Sequence, residues 1–310
     1  MEHKAAASFI LQIILLTETI FIALAVTLRI LSNPVANVFQ KQLTNRGNHP
    51  LVVNFLTYLA LAIVCLFFLR LVPWKELGTQ FWLFSLLGGL VGALGNGFLV
   101  KALQKGDLSV LGPINSYKSV VGIIVGIFLL GEIPNSWGIV GIALIIYGSY
   151  FVLDTTEEKF SLALFKRPEI QFRLWAMILT AIEAVFVKKV ILASSVSLAL
   201  MSWCILGAFF SFILLLLNGV SPRGEFEKIS GKDLSSYALL VACIGTMQFT
   251  TNYAFDHMPV GYVLSLFQLS TIISVLVGYR IFKEQDVRKK LVGSTIMIIG
   301  SVLIILLKNG

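Results

Sequence analysis

Ten apolar stretches, each of about twenty residues or more, follow one another along the chain with short connections between them. They run at approximately 20–43, 50–72, 81–104, 108–130, 134–154, 174–194, 196–219, 237–257, 259–282 and 289–308. About 20 apolar residues in a helix cross the ~30 Å hydrocarbon core of a bilayer. Inside that core each backbone N–H and C=O needs a partner within the protein, which restricts spanning segments to helices or closed barrels. Runs of this length and apolarity predict helices, so the expected fold class is an all-α membrane protein with ten transmembrane helices. The composition agrees: 13% of residues are charged, about half the share in soluble domains. Apolar character begins at Phe9. Residues 1–19 are therefore either an N-terminal apolar extension on the membrane surface or the start of a long helix one.

The net charge of +8 comes from basic residues scattered singly or in pairs between the apolar runs. Such residues read as loop anchors, and nucleic acid is excluded as a partner. Cys65, Cys204 and Cys243 all fall inside apolar runs, without the spacing of a disulfide framework. The three histidines form no metal-ligand pattern, and no cofactor is implied.

The chain also repeats itself. An ungapped offset of 152 aligns "LLGEIPNSWGIVGIALIIYGSYFVL" with "IFKEQDVRKKLVGSTIMIIGSVLII". It pairs Glu132 with Glu284, Gly141 with Gly293, Gly148 with Gly300 and Ser149 with Ser301. Gly126 then matches Gly278, Ala102 matches Ala254 and Asn96 matches Gln248. Two halves of five spans each insert upside down relative to one another, because five is odd. That is the inverted-repeat plan of secondary transporters. The expected organisation is a first five-helix repeat at 20–154, a charged linker at 155–173 and a second repeat at 174–308.

The series "SNPVANVFQK", "KALQKGDLSVLGPINSYKSVVGIIVGIFLLGEIP" and "GIVGIALIIYGSYFVL" resembles the EamA-type drug/metabolite transporters. The second half repeats the pattern less closely, in "NYAFDHMPVGYVLSLFQLSTIISVLVGYRIFKE" and "LVGSTIMIIGSVLII". The resemblance covers residues 20–308. It implies a multi-pass protein of a bacterial inner (plasma) membrane, with a central cavity lined mainly by helices 1, 3, 4, 6, 8 and 9. A small-molecule substrate and the lipid bilayer are its implied partners, and a monomer is expected. Members of the superfamily move amino acids, nucleotide sugars, phosphorylated sugars, choline and toxic cations.

Two ionisable residues stand in the middle of spans. Lys118 shares a helical face with Asn115 and Gly122, and Glu183 shares one with Thr180 and Val187. A charge at mid-span costs at least ~2.5–3.5 kcal/mol on insertion scales, so each should face a wet cavity or a partner. Three roles are compatible with the pair. They line a binding site, Glu183 exchanges a proton during transport, or they form a fixed Lys118–Glu183 ion pair between the halves.

Helix one carries Arg29, Asn33, Asn37 and Gln40 along one side, with Pro34 between them. Asn33 and Asn37 are read as cavity residues, whereas Arg29 has the reach to snorkel to the interface. Asn96 and Gln248 occupy matching positions, and Asn252 lies one turn from Gln248. Ser265, Gln268 and Thr271 give helix nine a polar face. Tyr117 and Phe267 are candidate aromatic walls. The expected cavity set is therefore Lys118, Glu183, Asn33, Asn37, Asn96, Asn115, Tyr117, Gln248, Asn252, Ser265 and Gln268. Polar groups on membrane helices also serve as packing hydrogen bonds, so each has that competing reading. Glu132 and Glu284 read as caps on helix N-termini.

No nucleophile elbow, phosphate loop or HExxH motif appears, and an integral-membrane enzyme is the weaker reading. The expected function is secondary transport of a small polar metabolite by alternating access, with amino acids favoured. Proton coupling through Glu183 and passive exchange both remain open. The alternatives are a choline-like cation, or a phosphorylated or nucleotide-linked solute held by Lys118 and Arg29. Orientation is contested. With Arg29 and Lys118 set aside, six basic residues fall on the side of the termini and sixteen on the other. The positive-inside rule would then put the termini outside, whereas the resemblance implies termini in the cytoplasm.

Overall fold

The computed structural model describes residues 2–118, 120–121, 135–156, 163–258 and 260–306, with side chains for all of these except 2–15, 261, 262, 265, 305 and 306. Among the described residues there is no strand. The long helices are α1 (Glu2–Asn45), α2 (Pro50–Leu66), α3 (Thr79–Lys105), α5 (Ser136–Leu153), α6 (Pro168–Ala193), α7 (Val196–Leu217), α8 (Gly231–His257) and α10 (Val287–Leu306). The short α4 (Leu108–Ile114) lies between α3 and α5. The ninth helix is in two pieces, α9a (Val260–Phe267) and α9b (Ser270–Phe282). Five described helices are long and apolar enough to cross a membrane: α1 from Leu16, α3, α5, α7 and α8. α2 and α9b are apolar but shorter. The candidates Glu132, Gly122 and Gly126 lie outside the described residues, as does the side chain of Ser265.

Helix ends follow local chemistry. His49 accepts from the N–H of Leu51 and precedes Pro50 at the first position of α2, where a missing donor costs nothing. Asn135 accepts from Gly138 N at 2.9 Å, and Ser195 from Leu198 N at 3.2 Å. Ser230 and Asp233 form a reciprocal capping box. That box starts α8 six residues before the apolar run that predicted it, because caps and not apolarity set helix ends. Likewise α6 starts at Pro168, well ahead of the expected 174. Helix α1 runs unbroken from Glu2, so residues 2–19 continue helix one. Its 44 residues extend about 65 Å at 1.5 Å each.

The contacts between helices obey a two-fold pattern. α1 packs on α8 and α3 on α6, while α2 pairs with α7, α4 with α9b and α5 with α10. Adding five to each helix number in the first half returns the same set of pairs, which is what a pseudo-dyad between halves requires. The α5–α10 crossing shows that the dyad inverts the chain. A Cβ on Gly148 would lie 2.6 Å from Gly293 O, and one on Gly300 2.6 Å from Gly141 O. Gly141 and Gly148 thus meet their repeat mates in reverse order, so the two equivalent helices run antiparallel. The contact is self-complementary in the manner of an isologous interface. On the axis itself, Ser116 Oγ donates to Gln268 Oε1 at 3.4 Å, and these two residues are also 152 apart.

Both fourth helices of the repeats break at the same place. α4 tightens into a 3-10 turn at Asn115–Tyr117. α9a ends at Phe267 and α9b resumes at Ser270, so the second break falls at the positions equivalent to 115–117.

The outward faces remain apolar. Leu16, Phe21, Ile63, Trp82, Ile139, Leu192, Phe209, Leu216, Leu239 and Ile299 are all exposed. Exposure on that scale marks a surface that lipid covers.

Glu284, between α9b and α10, caps the N-terminus of α4 in the other half. Its carboxylate accepts from Leu108 N and Ser109 N, each at 2.8 Å. Lys41 Nζ donates to it at 3.0 Å, and Lys290 Nζ reaches Ser109 Oγ at 2.8 Å. Burial pushes this carboxyl upward. Lys41, with the Ser109 hydrogen bonds, outweighs burial and leaves it below the ordinary value of 4.5.

Two outcomes follow from these contacts. Replacing Gly148 with Leu should overpack the α5–α10 crossing and lower stability by about 1–3 kcal/mol, read as a lower melting temperature in detergent. Glu284→Gln should cost about 2 kcal/mol near neutral pH, through lost charge-assisted hydrogen bonds. A carboxyl held low in the fold binds its proton first when unfolded. Its contribution is therefore complete above pH 4.5 and disappears as pH falls through the lower folded value. Melting curves between pH 7 and 3 should be flatter for the Gln variant than for the parent.

Candidate functional site

A cavity of about 100 Å³ opens between the two halves, beside the broken helices. α1 contributes Arg29, Asn33 and Asn37; α3 contributes Asn96 and Leu99; α4 and its 3-10 turn contribute Asn115 and Lys118. α6 supplies Arg173, Thr180, Glu183, Ala184 and Val187, and α7 supplies Trp203. Met247, Gln248, Thr251 and Phe255 come from α8, and Leu264 and Phe267 from α9a. The matched amides Asn96 and Gln248 thus face one space from opposite halves.

The predicted residues divide into two groups. Lys118, Glu183, Asn33, Asn37, Asn96, Asn115 and Gln248 line the cavity. Tyr117, Asn252 and Gln268 do not. Tyr117 turns toward α5, where its hydroxyl donates to Ser149 Oγ at 2.6 Å. Asn252 is fully buried, its amide 2.9 Å from that of Gln248. Gln268 sits on the pseudo-dyad against Ser116. Each meets another polar group of the protein, which is the packing alternative for such residues.

Lys118 and Glu183 share the cavity, but no salt bridge joins them among the described residues. Glu183 Oε1 instead accepts from Trp203 Nε1 at 2.6 Å. The Trp203 ring packs on Tyr58 with centroids 4.5 Å apart, and the Tyr58 hydroxyl accepts from Asn96 Nδ2 at 2.7 Å. Gly92 on α3 leaves the room that the carboxylate occupies: a Cβ there would collide with Glu183 Oε1. A glycine, an indole and a phenol together fix where the one acidic group among the described lining residues points.

The sequence places Arg173 in the charged linker, among the loop cations. The earlier start of α6 corrects this and places it inside the helix, buried. Its Nε donates to Leu111 O at 2.7 Å. That carbonyl is available because the 3-10 turn directs the N–H of Asn115 to Gly112 O. Arg29 does not snorkel. Its Nε donates to Thr251 Oγ1 at 2.9 Å, and its Cζ lies 4.7 Å from the centre of the Phe267 ring. Trp203 and Thr251 carried no sequence signal beyond polarity on a span.

Among the described lining residues, three cations face one carboxylate. Such a set of donors has the chemistry to bind an oxyanion, with amides and hydroxyls to orient the rest of a solute. No group of three His, Cys, Asp or Glu side chains that could hold a metal ion converges among the described residues.

The fold and cavity define an integral membrane protein of two inverted helical repeats around a polar centre. The model of the EamA-like transporter family matches residues 20–154 and 168–306. The chain belongs to that family, and with it to the drug/metabolite transporter superfamily. No curated protein matches it significantly. One solved crystal structure superposes with a TM-score of 0.63, at 14% identity, over 94% of this chain and 97% of its own. At that identity the likeness concerns the fold alone.

Gly92→Ala should displace the Glu183 carboxylate at a cost of about 1–3 kcal/mol. The expected result is a modest fall in melting temperature together with impaired solute binding. Intact binding would show that the position of Glu183 is immaterial to it.

Proposed function

We propose that the chain is a secondary transporter. It moves a small polar metabolite bearing a carboxylate or phosphate group by alternating access, the two halves rocking about the cavity. The observation that carries this reading is the surplus of cations lining the cavity between the halves, at a depth where charge is tolerated only if it has work or a partner. A cation or choline-like substrate is disfavoured, because it would meet three like charges and one acid already engaged by Trp203. Amino acids remain within the reading: the carboxylate would face Lys118, Arg173 or Arg29, and the ammonium would face Glu183.

Glu183 is also the candidate proton site. It shares the cavity with Lys118, Arg173 and Arg29 and is held by Trp203, so a change in its protonation alters the net charge that a solute must match.

Reconstituted vesicles test the proposal. Vesicles loaded with unlabelled amino acids, dicarboxylates or sugar phosphates should take up the matching labelled solute faster than vesicles without protein. Glu183→Gln should keep exchange but lose its response to an imposed pH gradient. Failure of every class to exchange would remove the transport reading, and a persisting pH response in the variant would remove Glu183 as the proton site.

A further inference from the structure

The guanidinium of Arg29 is held on two sides, and one of its nitrogens is left without a partner. Thr251 Oγ1 takes its Nε, and that hydroxyl is itself fixed by donating to Met247 O at 2.7 Å. Phe267 supports the face of the group. Its Nη1, by contrast, is buried without any hydrogen-bond partner. Buried charged donors are normally satisfied, because an unmade bond at such a group is expensive. A planar fork held in place with one nitrogen idle suits a carboxylate or phosphate oxygen that is not part of the protein.

Charge balance narrows the class of solute. With all four groups ionised, Arg29, Lys118 and Arg173 face Glu183 alone among the described lining residues, which leaves two positive charges uncompensated. A cation would add to that surplus, a zwitterion would leave it unchanged, and a monoanion would cancel half. Only a dianion makes the filled cavity neutral.

We infer that Arg29 anchors an oxyanion of the substrate, and that the substrate is a small organic dianion, either a dicarboxylate or a phosphate monoester. This rests on the reading of the cavity as the transport site. It goes beyond that reading by naming the anchoring residue and the charge of the solute.

Binding to the purified full chain in detergent, by thermal shift and calorimetry at fixed ionic strength, tests it. The probes are succinate, inorganic phosphate, L-alanine and choline. Succinate or phosphate should bind saturably and raise the melting temperature, and the stronger of the two identifies the oxyanion. Alanine and choline should have no effect. Arg29→Gln should weaken dianion binding about ten- to hundredfold. Arg29→Lys keeps the charge but not the planar fork, so it should fold like the parent and recover part of the affinity. Three results would overturn the inference: equal dianion affinity in the Gln and parent proteins, binding of alanine or choline in place of the dianions, or no saturable binding of either dianion. Vesicle exchange separates this from the broader proposal. Dianion binding without flux leaves the anchor standing and removes transport, whereas flux of alanine alone does the reverse.

Discussion

Hydrocarbon does not accept ionised side chains, and this chain gathers four of them, Arg29, Lys118, Arg173 and Glu183, around one cavity between its membrane helices. Each costs at least ~2.5 kcal/mol in lipid, and together they determine where the rest of the molecule must go. They turn inward to one cavity, and the apolar faces that remain turn outward. The breaks at Asn115–Tyr117 and after Phe267 are tolerable for the same reason. Irregular backbone at membrane depth survives where it lines a cavity or is buried in protein, and Asn115, Lys118 and Phe267 all border the hollow.

The two-fold scaffold was legible in the sequence because it rests on local features. Apolar runs reveal spans one at a time. Gly141, Gly148, Gly293 and Gly300 revealed the repeat through spacing alone, and their contacts in the structure follow from inversion of that repeat. Asn96 and Gln248 were matched in the same way and face one cavity. Features set by packing over long distances were not legible. Lys41 and Glu284 are 243 residues apart. Glu284 could be recognised as a cap, but nothing in the sequence says that it caps a helix of the opposite half. Trp203 could not be connected to Glu183, twenty residues earlier, without knowing how α6 and α7 meet. Arg173 was legible in principle. Pro168 is a good first residue for a helix, and reading it so puts Arg173 in the second turn. The charged stretch before it hid that signal.

Tyr117, Asn252 and Gln268 teach a related lesson. A polar side chain on a membrane helix must be satisfied, but its sequence position does not say by what. Ser149, Gln248 and Ser116 answer for these three. The sequence narrowed the site to a set of polar faces, and packing then selected among them.

The charges break the symmetry that the backbone keeps. "VFQK" at 38–41 and "VFVK" at 185–188 align helix one with helix six. Lys41 then corresponds to Lys188, but Glu183 corresponds to Ala36, and Lys118 to Ser270. The ends of the bundle differ too. Lys41 meets Glu284, which caps α4, and Lys290 adds a bond to Ser109. Lys188 donates instead to the carbonyls of Phe255 and Asp256 at the end of α8. The offset of 152 puts glycines, Gly261 and Gly138, at the counterparts of Ser109 and Lys290, so the opposite end cannot reproduce that bond. A symmetric backbone allows two halves to exchange roles at nearly equal energy. In the proposed cycle, a difference between the ends would bias the balance between the two states. A bound solute shifts it only as far as its contacts differ between the two states.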